Sequence, residues 1–243
     1  DTLNVYFQLR MLKILLLGAI SGFPWVLIGS SLSLWLKEEG LSRSTIGWAG
    51  LIFSVYAFNY LWAPFVDRLQ IPYLTKKIGH RKSWIFLMQS MIIFCLFVWS
   101  FVNPTEQLFL VILIGLIIAI CSASQDITID ALRIEQINVK ERSAIAAGAS
   151  MAVIGWWSGY KLGGLISLSI SDYFENIGIN NYWQVTFIFM TIIIIFFNFA
   201  LLFLNEENFN LKKRFHKELD QKIQKKLPSL NKITLFISWT SST

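Results

Sequence analysis

The sequence predicts an all-α membrane protein, a bundle of six transmembrane helices. Three observations point to it. Apolar residues make up 55% of the 243 and charged residues only 15%, against roughly 45–50% and about 25% in a soluble domain. The mean hydropathy is +0.56, and the apolar residues are clumped into long runs separated by short polar segments. The basic residues gather on alternate connections between those runs.

The runs are Leu12–Leu36, Ile46–Phe65, Trp84–Val102, Gln107–Gln125, Ala144–Ile170 and Tyr182–Leu204. Each is near or above the ~20 apolar residues that cross a bilayer core. Each should be helical throughout, because backbone polar groups in lipid must pair within their own segment. The first run is too long for a signal peptide and lacks a small-residue cleavage site. Asn103–Glu106, with Pro104, is a tight turn that makes its neighbours antiparallel. Residues 1–10 form a short N-terminal segment and 11–204 the bundle. Residues 205–231 are a polar, Lys-rich linker, partly an amphipathic surface helix. From Lys232 a further apolar run begins and stops at Thr243. With Asp1 in place of an initiating Met, this reads as a piece of a longer protein, cut where a second bundle would begin.

Of the 21 Lys and Arg, all but Lys37, Arg43 and Lys161 lie at the two ends or on the second and fourth connections. Both termini and those connections should therefore face the cytoplasm. The net charge of +6 is explained by this bias without nucleic acid. Cys95 and Cys121 sit inside apolar runs and read as buried, inert thiols. His80 and His216 have no metal-site spacing, and no phosphate loop, nucleophile elbow or zinc-ligand cluster is present. A membrane-embedded enzyme, a metal centre and a bound cofactor are not expected.

Charges within spans cost at least ~2.5–3.5 kcal/mol at mid-helix, so they mark a polar cavity or a partner. Asp126, Asp130 and Arg133, with Gln125 beside them, close the fourth run. At spacings of four and three they share one face if the helix continues. They are either a proton-coupling or substrate-contact cluster, or an ordinary helix end with an interfacial ion pair. In the fifth run Gly155, Gly159 and Gly163 form a small-residue stripe for close packing. Helical phase turns Lys161 and Trp157 to the opposite face. There Lys161 would meet a cavity, bind an anionic substrate, or pair with Asp126 or Asp130; alternatively it snorkels. Tyr56, Asn59, Gln89 and Tyr160 are further cavity-lining candidates, able to stack on or hydrogen-bond a sugar, or simply to glue helices together. Asp67 and Arg68 end one helix and Arg81 and Lys82 open another. They form either a cytoplasmic latch or plain basic anchoring.

Several motifs occur together: Ser21-Gly-Phe-Pro24, Leu61-Trp-Ala-Pro-Phe-Val-Asp-Arg68, Gly79-His-Arg-Lys-Ser-Trp84, Ala123-Ser-Gln-Asp-Ile-Thr-Ile-Asp130, Glu141-Arg142 and Gly159-Tyr-Lys-Leu-Gly163. In this order, over about Arg10 to Leu204, the chain resembles the AmpG-type muropeptide permeases, a branch of the major facilitator superfamily related to acetyl-CoA transporters. The resemblance implies the N-terminal half of a transporter built from two six-helix bundles, with a central site and alternating access. It also implies proton-driven import of anhydromuropeptides through the bacterial inner membrane. The partners would be a sugar-peptide, protons, the lipid bilayer and a C-terminal half. Asp126, Asp130 and Lys161 are then the candidates for coupling or substrate contact. Lys161 stands where these permeases usually carry Arg, which keeps the charge but loses bidentate recognition. Trp156-Trp157-Ser158 is a local departure. An acetyl-CoA or other anionic-solute carrier of the same fold, and an inactive truncated half, are the alternatives.

Overall fold

Five of the six long apolar runs become single long helices, and the one that contains Pro64 does not. The computed structural model describes residues 2–135, 137 and 142–203, so the predicted linker and the run from Lys232 lie outside the described residues. After a short turn at Thr2–Val5, the helices are α1 (Leu9–Glu38), α2 (Arg43–Ala49), α3 (Val55–Phe58), α4 (Ala63–Arg68), α5 (Leu74–Ile78), α6 (His80–Trp99), α7 (Leu108–Glu135), α8 (Arg142–Asn176) and α9 (Tyr182–Phe203).

Four of the described helical segments are long and apolar enough to cross a membrane: Leu9–Glu38, His80–Trp99, Leu108–Glu135 and Tyr182–Phe199. At 35 residues, α8 has the length, at about 1.5 Å per residue. Its Gly, Ser and Lys content makes it less apolar than those four. The second predicted run is not a regular α-helix. It is not one helix but a chain of short pieces, with 3-10 turns at Gly50–Ser54 and Asn59–Leu61 between α2, α3 and α4. Pro64 supplies a physical reason. It has no N–H for the Tyr60 carbonyl, and its ring crowds that carbonyl, so the preceding turn tightens.

Pro24 poses the same problem inside α1, and there it is solved. Its missing N–H leaves the Ile20 carbonyl without its partner one turn on. Gln125 of α7, fully buried, donates its Nε2–H to that oxygen at 3.0 Å. Just beyond Pro24 the helix widens into a π turn at Leu27–Ser31 before resuming to Glu38.

α1 packs most extensively on α8. A Cβ added at Gly18 or Gly22 would overlap the carbonyl oxygens of Ala152 and Trp156. One at Gly155 or Gly159 would overlap those of Leu15 and Ala19. The seam is therefore glycine against backbone from both sides, the close approach that small residues permit between membrane helices. A buried Ser31–Ser167 hydrogen bond of 2.8 Å extends it. At one end of the bundle Trp35, Trp99 and Phe187 interlock, with ring centroids 4.9–6.0 Å apart. Beside them Glu38 accepts hydrogen bonds from the Tyr182 hydroxyl (2.8 Å) and the Trp183 indole (2.5 Å). Outward faces carry Phe94, Phe97, Phe109, Leu165, Ile192 and Phe196, as expected where the surrounding medium is lipid.

Candidate functional site

α7 continues ten residues beyond the predicted end at Gln125, so Asp126, Asp130 and Arg133 do lie on one helix. Hydroxyls in its polar stretch do not break it, because Ser124 and Thr128 donate to carbonyls one turn back, at 2.7 and 2.8 Å. Where α1, α7 and α8 diverge, a cavity of about 330 Å³ opens. Gly18 and Ser21 line it from α1, Asp126, Asp130 and Arg133 from α7, and Ala152 and Trp156 from α8.

The two carboxylates have different partners. Ser21 Oγ–H donates to Asp126 Oδ1. Asp130 pairs with Arg133 Nη2 at 3.0 Å, and its side chain is 64% exposed. The inner carboxylate is thus held by a neutral donor and the outer by a cation. An aromatic platform adjoins them. Trp156 stacks flat on Tyr160, with centroids 5.6 Å apart and planes 8° from parallel, and meets Trp25 edge-on at 5.5 Å. Trp25 in turn lies 4.5 Å from Tyr56.

The remaining predicted residues fall elsewhere. Gln125 does not open onto the cavity, because its amide is engaged by the Ile20 carbonyl. Lys161 is exposed and pairs with neither Asp126 nor Asp130; its Nζ lies 5.7 Å from the centroid of the half-exposed Trp157 ring. Tyr56, Asn59, Gln89, Trp157 and Tyr160 do not line the cavity. Gln89 is 1% exposed inside α6, and Asn59 sits in the 3-10 turn before Trp62. In α8 this cavity opens along the edge of the glycine seam, with Trp156 in its lining and Trp157 outside it.

Asp67 and Arg81 form an ion pair between two of the candidate loop segments. Arg81 also reaches Glu135 Oε1 at 3.5 Å, so these ion pairs join α4, α6 and the end of α7. His80 Nε2 lies 3.1 Å from the Val66 carbonyl and reinforces that junction. Arg68 is exposed and outside this set, while Lys82 is buried at the start of α6. Sequence reasoning missed Ser21, Trp25, Trp156 and Glu135 as site residues. One signal was available: Pro24 implies an unpaired Ile20 carbonyl, and hence a donor from another helix that would draw Asp126 toward Ser21.

The chain belongs to the major facilitator superfamily, whose family model matches residues 14–242. It is 33% identical over 204 residues to the AmpG 4 transporter of Rickettsia felis, covering 84% of this chain and 47% of that protein. To the AmpG 1 transporter of Rickettsia conorii it is 39% identical over 164 residues, 68% of this chain and 39% of that one. To the anhydromuropeptide permease of Escherichia coli (strain K12) it is 32% identical over 170 residues, 70% and 33% respectively. The chain spans at most about half the length of these curated relatives.

Proposed function

We propose that this chain is the N-terminal half of a proton-coupled permease that imports anhydromuropeptides, with six spans and a cytoplasmic N-terminus. The observation that carries this reading is the cavity where α1, α7 and α8 diverge. It combines two carboxylates one turn apart with an adjoining aromatic platform. Gain or loss of a proton at Asp126 changes the charge held between three packed helices, so protonation and helix arrangement bias one another. Indole and phenol faces suit the apolar face of a sugar ring, while Asp130 and Arg133 suit its hydroxyls and amides.

Lys161 fits the same reading. A cation on an exposed helix face is costly against lipid but useful against a polar translocation path shared with a companion bundle, where it would meet the acidic peptide of the cargo. The Asp67–Arg81–Glu135 latch would hold the cytoplasmic ends together in one state of an alternating cycle. Carriage of acetyl-CoA or another strongly anionic solute is less well supported, because the cation in the cavity, Arg133, is already paired with Asp130.

In membrane vesicles containing the intact transporter, Asp126→Asn and Asp130→Asn are expected to abolish uptake of labelled anhydromuropeptide driven by a proton gradient. Wild-type uptake by both variants would sink the assignment.

A further inference from the structure

The chain between α4 and α6 carries cations that the Asp67–Arg81–Glu135 pairs do not use. Arg68, Lys76 and Lys77 are exposed, and none of them has an ion pair among the described residues. Asp67, the carboxylate next to Arg68, is already taken by Arg81.

These cations sit on a built turn. Ile71 N–H donates to Thr75 Oγ1 at 3.0 Å, and Thr75 N–H returns to the Ile71 carbonyl at 3.1 Å. Thr75 is buried by this exchange. Trp84 of α6 donates its indole N–H to the Leu69 carbonyl at 2.8 Å. Trp84 begins the third predicted run, so this bond fixes the turn level with the edge of the apolar layer, where Trp and Tyr collect in membrane proteins.

Within the turn, Tyr73 has φ +64° and ψ −48°. Leu74 N–H closes it on the Pro72 carbonyl at 2.7 Å. This three-residue turn is rare and strained. It holds the Tyr73 ring 84% exposed, and Leu69, four residues earlier, is 56% exposed. Water offers no return for holding an aromatic ring out on a strained backbone. A headgroup layer does, because the ring is apolar and its hydroxyl polar. In α5, Thr75 is buried while Lys76 and Lys77, three and four residues after Tyr73, are exposed.

We propose that the turn from Arg68 to Lys77 binds the headgroup of an anionic phospholipid. Lys76, Lys77 and Arg68 supply charge for the phosphate, and Tyr73 and Leu69 lie in the headgroup layer. Plain basic anchoring needs the charges but neither the fixed turn nor the outward ring. Each basic residue close to an anionic bilayer is worth roughly fivefold in affinity. A zwitterionic lipid satisfies the ring but not the cations, so preference between two lipids reads the site whatever the protein carries.

The intact transporter in neutral detergent is titrated with phosphatidylglycerol or phosphatidylcholine, and bound lipids are counted by native mass spectrometry. Phosphatidylglycerol is expected to bind more tightly. Lys76→Gln/Lys77→Gln should cut that preference about tenfold or more, and Lys76→Arg/Lys77→Arg should keep it. Raised salt should shrink the preference of the wild type. Tyr73→Ser should weaken both lipids alike, because the ring does not read charge. A Gln pair that keeps the wild-type preference would overturn the proposal. So would a Gln pair that loses both lipids equally, which marks the lysines as structural. A Gln pair with intact lipid preference but lost transport would instead put a protein surface, that of the companion bundle, on this turn.

Discussion

The α1–α8 seam and the segment from α2 to α4 use the same residue type for opposite ends. At the seam, Gly18, Gly22, Gly155 and Gly159 let two backbones touch, and any Cβ would strike a carbonyl oxygen. In the broken segment, a Cβ at Gly47 or Gly50 would meet nothing within 4 Å. There glycine only weakens the helix, by about 0.8–1.0 kcal/mol relative to Ala. The seam is close because glycine is required by a neighbour. The segment is fragmented because glycine, with Pro64, lacks one. Its apolar residues Leu51, Phe58, Leu61 and Phe65 are all more than half exposed. It is pinned where Trp62 donates its indole N–H to Ser124 of α7 at 2.9 Å. The difference teaches that a helix in this protein tolerates glycine where a neighbour packs against it, whatever its intrinsic propensity.

The largest expected effect breaks the seam. Gly22→Ala forces α1 from α8 at the Trp156 carbonyl and should cost about 3 kcal/mol, the upper range for overpacking. The check is a marked fall in the melting temperature of the purified protein in detergent; an unchanged value would mean the helices are not in contact there. Smaller is the loss of the joint that pulls α7 onto α1. Gln125→Leu orphans the Ile20 carbonyl and should cost about 1–3 kcal/mol. Pro24→Ala returns an N–H to that carbonyl, so the two substitutions should be non-additive in a double-mutant cycle, with the pair losing less than the sum. Strict additivity would separate Gln125 from Pro24. The smallest effect comes from the loose region. Gly47→Ala should stabilise by about 0.5–1 kcal/mol, read as a small rise in the same melting temperature, in contrast to the fall at Gly22.

Much of this was legible beforehand. The five long runs appear as helices that start within a few residues of their predicted starts, although α7 and α8 run ten and six residues past their predicted ends, because twenty apolar residues in sequence leave no other arrangement for their backbone. The Asp126, Asp130 and Arg133 face followed from helical spacing once α7 continued. The glycine stripe of α8 announced a close neighbour, although not which one. The second run was misread because hydropathy ignores what Pro64 does to the turn before it. Glu135 was invisible as a partner of Arg81 because it lies far along the chain from it, and ion pairs between helices leave no local pattern.

Asp67, Arg68, Arg81 and Lys82, by contrast, suggested themselves as a group, although not which of them would pair. Tyr56, Asn59, Gln89 and Tyr160 were chosen by residue type alone, and Trp157 by phase within its own helix. Type says that a side chain can bind; only phase against a neighbour says whether it faces the site.

What the sequence by itself determined was the medium, the helices and the carboxylate face, since these depend on composition and on periodicity within one segment. Tertiary structure alone decided that Ser21 holds Asp126, that Gln125 answers the carbonyl freed by Pro24, and that Trp156 rather than Trp157 enters the cavity. Each of these joins residues on different helices. Their meeting is fixed by how closely glycine lets α1 approach α8 and by where the two helices part.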